Sequence, residues 1–223
     1  MAEPVKAKRR YDSSRRRAQA EATRVDILDA AQRLFEARGY AATTVEAIAA
    51  EAGVALKTVY VAFETKSGLL RALWNHLLRG RHDEIPMGEQ DWYREVLAEP
   101  DPGRTLELTA RASRAVKERI CPTLDVIRSA ATTDADISAL WTRIQTDFHA
   151  NQCAIVASFA KALRADLDVE RAADILWTLN HPNVWQLLVR ERGWTAEQWE
   201  RWFLDAARAQ LLKEGKNGRR QRR

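Results

Sequence analysis

The 223-residue sequence lacks the features of membrane and secreted proteins. It has no apolar run of about 18 residues, so we expect no transmembrane helix. Its first 24 residues are charged throughout and contain no apolar signal core. Its two cysteines, Cys121 and Cys153, provide no disulfide framework and suit a reducing compartment. We therefore expect a cytoplasmic protein without a membrane partner.

Motifs of catalysis are also missing. The sequence contains no glycine-rich phosphate loop, no G-x-S-x-G element and no nucleophile with a base at a useful spacing. His149 and Cys153 are four residues apart on a predicted helix, a spacing that could hold a metal, but no third ligand accompanies them. A pair in the core or in a pocket is the better interpretation. We expect no enzyme, no cofactor and no metal.

Helical periodicity runs through most of the chain, with no β-alternating stretch and no internal repeat. It predicts an all-α fold of about nine helices, in which a three-helix head precedes a C-terminal helical bundle. A capping box formed by Thr23 and Asp26 is expected to open the first helix, and Gly39 to close it. The expected domains are a basic flexible arm (1–22), the head (23–66), the bundle (67–212) and a basic disordered tail (213–223). Further helices are expected at about 69–81, 91–98, 105–119, 122–131, 134–163, 169–189 and 195–212, with a linker at 82–104.

The stretch 43–63 has the pattern of two short helices joined by a tight turn. Thr43 and Glu46 have the spacing of a capping box, and apolar residues follow at helical spacing. Gly53 stands where a helix can end in a left-handed residue, and a second helix is expected from about Leu56 to Phe63. The spacing of small, glycine and aliphatic residues suits a steep crossing, so we interpret the pair as a helix-turn-helix. Two ordinary core helices are the alternative.

Positive charge is concentrated at the two ends. Residues 1–24 carry eight basic and three acidic groups, a net charge of +5. Residues 213–223 also have a net charge of +5, so residues 25–212 sum to −5. Basic ends on an acidic body are typical of arms that bind a polyanion. For the C-terminal end we favour a disordered tail, and for the N-terminal arm, which leads into the helix-turn-helix, contact with DNA.

Two sets of residues carry a resemblance to known proteins. The first set spans some 50 residues of the head: Asp26-Ile-Leu-Asp-Ala-Ala, Gly39-Tyr40, Thr43-Thr44, Ile48-Ala49, Ala52-Gly53-Val54, Thr58-Val59-Tyr60, Phe63 to Lys66, Leu69 and Leu70. In these residues the chain resembles the TetR family of transcriptional regulators. The second set lies at the end of the body: Trp177-Thr-Leu-Asn-His-Pro, the run from Leu188 to Trp194, and Gln210-Leu-Leu. In these the chain is similar to a common actinobacterial-type subgroup.

The resemblance implies a homodimer whose heads enter successive major grooves of a palindromic operator in double-stranded DNA. It also implies a body that binds a small-molecule effector, and most family members are repressors. At the matching positions, Thr44 and Lys66 would contact phosphates. Thr58 and Tyr60 would face DNA from the recognition helix.

The recognition helix departs from the family pattern. Ala55 replaces a usual serine cap, which removes about 1 kcal/mol of capping. Leu56 and the pair Val61-Ala62 replace polar residues, so few hydrogen-bonding groups remain for base edges: Lys57, Thr58 and Tyr60. Residues 43–66 have a net charge of −1. We therefore expect the arm, at Arg15, Arg16 and Arg17, to supply much of the attraction to phosphates.

Eight tryptophans are many for this length, and core and dimer packing explains most of them. On the long helix, two amides and two aromatic residues share one face, and buried amides are costly unless paired. We expect these four, with Trp74 and Trp177, to contact a small, apolar or aromatic effector. The four are Trp141, Gln145, Phe148 and Gln152. The expected dimer interface consists of Trp185, Leu188, Trp199, Trp202 and Phe203.

Two other functions remain open at the level of sequence. One is a DNA-binding dimer without a small effector, in which the body serves only dimerisation. The other is a helical protein-interaction scaffold with a degenerate head, which the sparse recognition helix suggests.

Overall fold

The computed structural model describes residues 11–79 and 90–213. The expectations for residues 1–10, 80–89 and 214–223, which belong to the arm, the linker and the tail, lie outside the described residues. Within the described ranges the chain is helical, with no β-strand and one isolated bridge between Leu163 and Leu212, so the all-α prediction is confirmed. None of the described helices is both long and apolar enough to cross a membrane. The chain divides into two compact units, 1–73 and 74–223.

The first unit contains α1 (Tyr11–Ala42), α2 (Val45–Glu51), α3 (Leu56–Phe63) and the start of α4 (Lys66–Arg79). α1 begins twelve residues before the expected capping box, and the Thr23 hydroxyl donates to the Gln19 carbonyl at 3.0 Å. The Thr23 start is therefore wrong, and the arm expected to be flexible is helical from residue 11. Residues 15–22 are arginine, alanine, glutamine and glutamate, which are strong helix formers and extend the helix.

The start of α2 is one residue later than expected. Thr44 is its N-cap, and the Thr44 hydroxyl oxygen accepts from the Ala47 amide at 3.2 Å. Thr43 is buried instead, with its hydroxyl 2.8 Å from the Gly39 carbonyl oxygen. Gly53 (φ 67°), just after the end of α2, has the left-handed conformation expected there. Gly39 (φ 78°) was expected to close the first helix, and it kinks α1 three residues before the last residue, Ala42. α3 has the predicted bounds and, as expected, no side-chain cap at Ala55.

The second unit contains the end of α4 and six further α-helices. Asp134 caps α7, and a complete capping box of Thr195 and Gln198 opens α10. α6 packs on α7 and α10, and α8 packs on α7 and α10. The helices are α5 (Asp91–Ala98), α6 (Pro102–Ala130), α7 (Ala135–Ser158), α8 (Val169–Leu179), α9 (Pro182–Trp185) with a π-helical continuation (Gln186–Glu191), and α10 (Ala196–Leu211).

Two prolines act differently from expectation in this unit. Pro122 was expected to separate two helices, but it lies inside the continuous α6. Buried apolar residues precede and follow it, and their packing offsets the lost hydrogen bond, which costs about 3 kcal/mol. The helix expected at 169–189 is instead interrupted before Pro182. His181 has ψ 138° because a residue before proline is disfavoured in the α conformation.

Candidate functional site

The outer face of α3 is exposed and mixes apolar with polar side chains. Val59 and Phe63 are buried and anchor the helix in the head. Tyr60 and Val61 are 43% and 76% exposed, and the side chains of Leu56, Lys57 and Thr58 lie at the surface as well. Apolar side chains on such a helix can contact thymine methyl groups, while lysine and threonine can bond base edges. The structure thus exposes all three predicted recognition-helix residues together.

α1 holds α3 through an arginine that sequence reasoning missed. The Arg24 guanidinium lies 4.5 Å from the centroid of the Phe63 ring and donates to the Ala62 carbonyl at 3.3 Å. A second link joins Arg33 of α1 to Glu51 of α2, at 3.1 Å. An arginine near a helix start is ordinary in sequence, so only the fold shows that Arg24 orients the recognition helix.

α4 begins in close contact with the end of α3. A Cβ atom at Gly68 would overlap the Phe63 carbonyl oxygen, so only glycine fits here without a shift of backbone. The Gly68 amide donates to the Thr65 hydroxyl oxygen at 2.9 Å. The glycine therefore sets how tightly α4 follows the recognition helix.

Lys66, expected at a phosphate, is already engaged within the head. Its ammonium donates to the carbonyls of Tyr40 (2.9 Å) and Thr43 (3.0 Å) and lies 4.2 Å from the Tyr40 ring centroid. An ammonium has three donors, so one remains after these two bonds. Lys66 thus ties the start of α4 to the end of α1 and keeps one N–H for another partner.

Thr44 and the three arginines of the arm lie at the surface of helices. Thr44 is exposed, and its hydroxyl proton remains available because its oxygen accepts the capping bond. Arg15, Arg16 and Arg17 are exposed on α1. Consecutive helical residues are rotated by about 100°, so these three side chains span about 200° and cannot all face one surface.

The second unit contains a buried chain of polar side chains, which we call the Lys117 cluster: Lys117, Asn180 and Gln152. Each is 3% exposed. The Lys117 ammonium donates to Asn180 Oδ1 at 2.5 Å, Asn180 Nδ2 donates to Gln152 Oε1 at 3.2 Å, and Gln152 Nε2 donates to the Phe148 carbonyl at 3.4 Å. This series of hydrogen bonds joins α6, α7 and the end of α8.

Aromatic side chains surround this cluster. The Lys117 ammonium lies 4.6 Å from the centroid of the Trp199 ring. His181 is bonded to Gln145 (3.1 Å), and its ring lies 4.8 Å from that of Trp177 and 6.1 Å from that of Phe148. Four of the predicted effector residues, Gln145, Phe148, Gln152 and Trp177, therefore do come together. Of the other two, Trp141 is half-buried one turn before Gln145, and Trp74 is buried at the start of the second unit.

Burial shifts the pKa values of the groups in this region. Desolvation lowers the pKa of Lys117 to about 7, because a buried ammonium loses its hydration. Desolvation raises the pKa of the neighbouring Cys121 thiol to about 12. It also lowers the pKa of His181, and the positive charges of Lys117 and Arg128 add to that effect. Among the residues that the structure describes, no carboxylate is paired with Lys117.

Sequence reasoning missed Lys117 and Asn180. The signal for Lys117 was present: Ala110, Ile120, Cys121 and Leu124 are buried at helical spacing from it on α6. A single lysine inside such an apolar stripe indicates a buried ammonium. Asn180 carried no comparable signal, because it ends a helix that was predicted to continue.

A segment that includes most of the head matches a known protein family. Residues 27–73 match the family described as bacterial regulatory proteins, tetR family. This segment of the chain is a TetR-family domain.

Two curated relatives are transcriptional regulators by name. The chain is 38% identical over 71 residues to the uncharacterised HTH-type transcriptional regulator YvkB of Bacillus subtilis. That match covers 32% of this chain and 38% of the relative. The chain is also 28% identical over 171 residues to the probable HTH-type transcriptional regulator ArpR of Pseudomonas putida. This second match covers 71% of this chain and 77% of the relative.

Solved structures share the fold of this chain. NalD, the secondary repressor of the MexAB-OprM multidrug efflux pump in Pseudomonas aeruginosa, aligns with a TM-score of 0.68 and 21% identity. The alignment covers 89% of this chain and all of that one. A complex of SmeT with triclosan aligns with a TM-score of 0.68 and 22% identity, over 87% of this chain and 93% of that one.

The dimer interface expected from the TetR resemblance needs correction at three residues. Trp199 and Phe203 are fully buried within this single chain and Trp185 nearly so. The Trp199 ring stacks on Phe203 at 5.2 Å and meets Trp185 edge-on at 5.1 Å. These three residues lie on the inward-facing sides of α9 and α10. They are therefore core residues and offer no surface to a partner. Leu188 and Trp202 are half-buried and keep exposed area.

His149 and Cys153 are both half-buried, so they do not lie in the buried core. Cys153 Sγ lies 3.7 Å from His149 Nδ1, and His149 Nε2 lies 2.8 Å from Asp174 Oδ1. Within residues 11–79 and 90–213, no three histidine, cysteine or acidic residues are grouped so as to hold a metal ion.

Proposed function

We propose that this TetR-family protein is a homodimeric transcriptional repressor that binds a palindromic operator and is released by a small effector. The exposed outer face of α3 is the observation that carries the DNA-binding part of this proposal. Val61, Tyr60 and Leu56 expose apolar surface to water on an eight-residue helix, and a partner that covers this surface removes it from water, which is favourable. The major groove, with its thymine methyl groups, is such a partner.

The proposed DNA contacts divide into those that position and those that specify. Thr44, the remaining donor of Lys66 and a part of the set Arg15 to Arg17 contact phosphates. Lys57, Thr58 and Tyr60 contact base edges. The basic residues of α1 are needed because residues 43–66 have a net charge of −1 and cannot by themselves attract DNA.

A homodimer places two α3 helices in successive major grooves, which requires half-sites about one helical turn apart. For the dimer surface we propose the half-buried Leu188 and Trp202 together with Leu187, which is 52% exposed. All three are apolar, and apolar side chains with aromatic residues among them are enriched at the core of an interface.

The proposed effector site is the region around the Lys117 cluster. Effector binding there would shift the population of conformations in the second unit, and α4, which runs from the first unit into the second, would pass the change to the head. The Arg119 side chain, bonded to the Leu77 carbonyl at 3.3 Å, supports this by linking α6 to the last turns of α4. Moving the equilibrium from 1:99 to 99:1 requires about a 10⁴-fold difference in effector affinity between the states.

Selection from random double-stranded DNA tests the proposal. The full-length protein should enrich a two-fold symmetric motif whose half-sites lie about 10 base pairs apart. Tyr60→Ala should abolish the enrichment, whereas Arg143→Ala, a change at an exposed residue of α7, should leave it unchanged. Recovery of no motif by the folded wild-type protein would contradict the proposal.

A further inference from the structure

Among the residues that the structure describes, none gives the buried Lys117 ammonium a negative counter-charge. Its one hydrogen bond, to Asn180 Oδ1, leaves two of its three donors without a partner in the described part of the chain. Uncompensated buried charge is among the costliest arrangements in a protein, and a paired anion is the usual remedy. The amides of the Lys117 cluster supply none, because Asn180 and Gln152 are neutral and already bonded to each other.

Trp199 provides a second, independent sign of a buried polar site. It is fully buried, and its indole Nε1 has no hydrogen-bond acceptor among the described residues. The indole Nε1 of Trp177, whose ring lies 4.8 Å from that of His181, is also buried and has no hydrogen-bond acceptor in the described part of the chain. The same indole ring of Trp199 lies beneath the Lys117 ammonium. Unpaired donors and an unpaired cation in one region call for an acceptor that carries negative charge.

The residues around Lys117 limit both the charge of a ligand that binds there and the chemical nature of the rest of that ligand. One buried cation balances one negative charge, so a dianion such as phosphate would leave a net buried charge. A cationic ligand would meet the Lys117 ammonium directly. The rings of Trp199, Trp177 and Phe148 suit an apolar or aromatic body.

We propose that the effector is a small amphiphilic monocarboxylic acid whose carboxylate pairs with Lys117 and whose apolar body packs among Trp177, Phe148 and Trp199. This rests on the proposed function only in calling the acid an effector; the acid-binding site stands on the Lys117 cluster alone. Carboxylate oxygens accept the two open ammonium donors, and charge-assisted bonds of this kind are about twice as strong as neutral ones.

Binding should take up a proton above neutral pH. Lys117 titrates at about pH 7 without the acid, and a bound carboxylate raises that pKa. The other titratable groups facing it are Cys121 on its own helix, whose pKa is about 12, and His181, whose pKa is lowered from its usual value. Neither changes charge between pH 7 and pH 9. Affinity for the acid should therefore be constant just below pH 7 and fall about tenfold per pH unit above it.

The test is calorimetric titration of the full-length protein, without DNA, with phenylacetate, indole-3-acetate and decanoate and with their primary amides. We expect at least one acid to bind ten times or more tightly than its amide at pH 7. In Lys117→Met that preference should fall to about one, because the acid loses affinity and the amide does not. Lys161→Met, at an exposed lysine, is the matched control and should keep the preference. Circular dichroism shows whether each variant is folded.

The outcomes separate this inference from the proposed function. Equal affinities for acid and amide, a preference that survives Lys117→Met, or no binding of any acid by the folded protein would each overturn the inference, whatever the protein does with DNA. Acid binding that requires Lys117 but leaves an operator complex intact would support the site and remove its regulatory role. A proton uptake near one at pH 8, measured in buffers of different ionisation enthalpy, would support the pairing directly.

Discussion

Replacement of Lys117 by methionine should flatten the dependence of stability on pH between pH 7 and pH 9. The folded protein holds this lysine at a pKa of about 7, whereas a lysine in the unfolded chain has a value near 10.5. Between these values the unfolded chain binds a proton that the folded chain gives up. The free energy of unfolding of the wild-type protein therefore rises with pH across the window.

The size of the rise follows from the two pKa values. One pH unit corresponds to about 1.4 kcal/mol for a group that is protonated only in the unfolded chain. Titration of folded Lys117 is half complete at pH 7, which reduces the rise over two pH units to about 2 kcal/mol. Below pH 7 both states hold the proton and this slope disappears. From about pH 8 upward, ionisation of Cys121 in the unfolded chain opposes the rise, because an unfolded thiol has a pKa of about 8.5 and the folded thiol a pKa of about 12.

Methionine keeps most of the volume of lysine without its charge, so Lys117→Met should fold. At pH 7 it removes the desolvation penalty but leaves Asn180 Oδ1 without a donor, which costs about 1–3 kcal/mol. The two effects have opposite signs, so the stability difference at a single pH does not isolate the charge of Lys117. The difference in slope is therefore the decisive quantity.

Tryptophan fluorescence during urea unfolding measures this slope in the right part of the molecule. All eight tryptophans lie in the unit that begins at residue 74, so their emission reports on that unit alone. Unfolding should be compared at pH 7, 8 and 9 at one protein concentration, with Lys161→Met as the control. A wild-type rise that persists unchanged in Lys117→Met would refute the assignment of a buried, desolvated ammonium.

Three further predictions concern the head. Gly68→Ala should destabilise the protein by about 1–3 kcal/mol, seen as a lower midpoint in thermal unfolding by circular dichroism, because its Cβ overlaps the Phe63 carbonyl oxygen; an unchanged midpoint would show that α4 shifts freely. Arg24→Ala should weaken operator binding about tenfold in fluorescence anisotropy with little loss of helix content, because it releases α3 from α1; full affinity would remove Arg24 from the account. Simultaneous replacement of Arg15 to Arg17 by alanine should reduce the slope of log K for DNA binding against log salt concentration by one or two, because the three side chains span about 200° of α1 and only one or two can reach phosphates. A slope reduced by zero or by three would contradict the helical placement.

Helix ends set by one or two neighbouring residues could be predicted from the sequence. Asp134 and Thr195 cap their helices as expected, and Gly53 takes the left-handed conformation. These are local rules: a side chain bonds an amide two or three residues away, or a missing Cβ permits a positive φ. The bounds of α3 followed from the same kind of signal.

Choices between competing local signals were less predictable. Thr23 and Thr43 both have capping-box partners, yet each is used otherwise: Thr23 inside a longer helix and Thr43 under the end of α1. Pro122 carries a breaker signal that packing of α6 overrides. In each case the deciding free energy comes from burial or from flanking helix propensity, which a four-residue pattern does not contain.

The buried polar site depends on contacts that sequence distance hides. Lys117 and Asn180 are 63 residues apart, and Gln152 and Asn180 are 28 residues apart. Periodicity on α7 identified one wall of the site, at Gln145, Phe148 and Gln152, because those residues share a helix. It could not identify the ammonium on α6 that gives the site its charge, nor show that Trp199 faces inward rather than towards a partner.

A nuclease footprint of the pure protein on the DNA upstream of its own gene, at two salt concentrations, tests the central claim of sequence-specific DNA binding most directly. The account predicts a protected palindrome that weakens at the higher salt concentration, survives excess nonspecific competitor DNA and is lost in Tyr60→Ala. Protection that disappears under competitor DNA would contradict it and would favour a helical scaffold with basic ends.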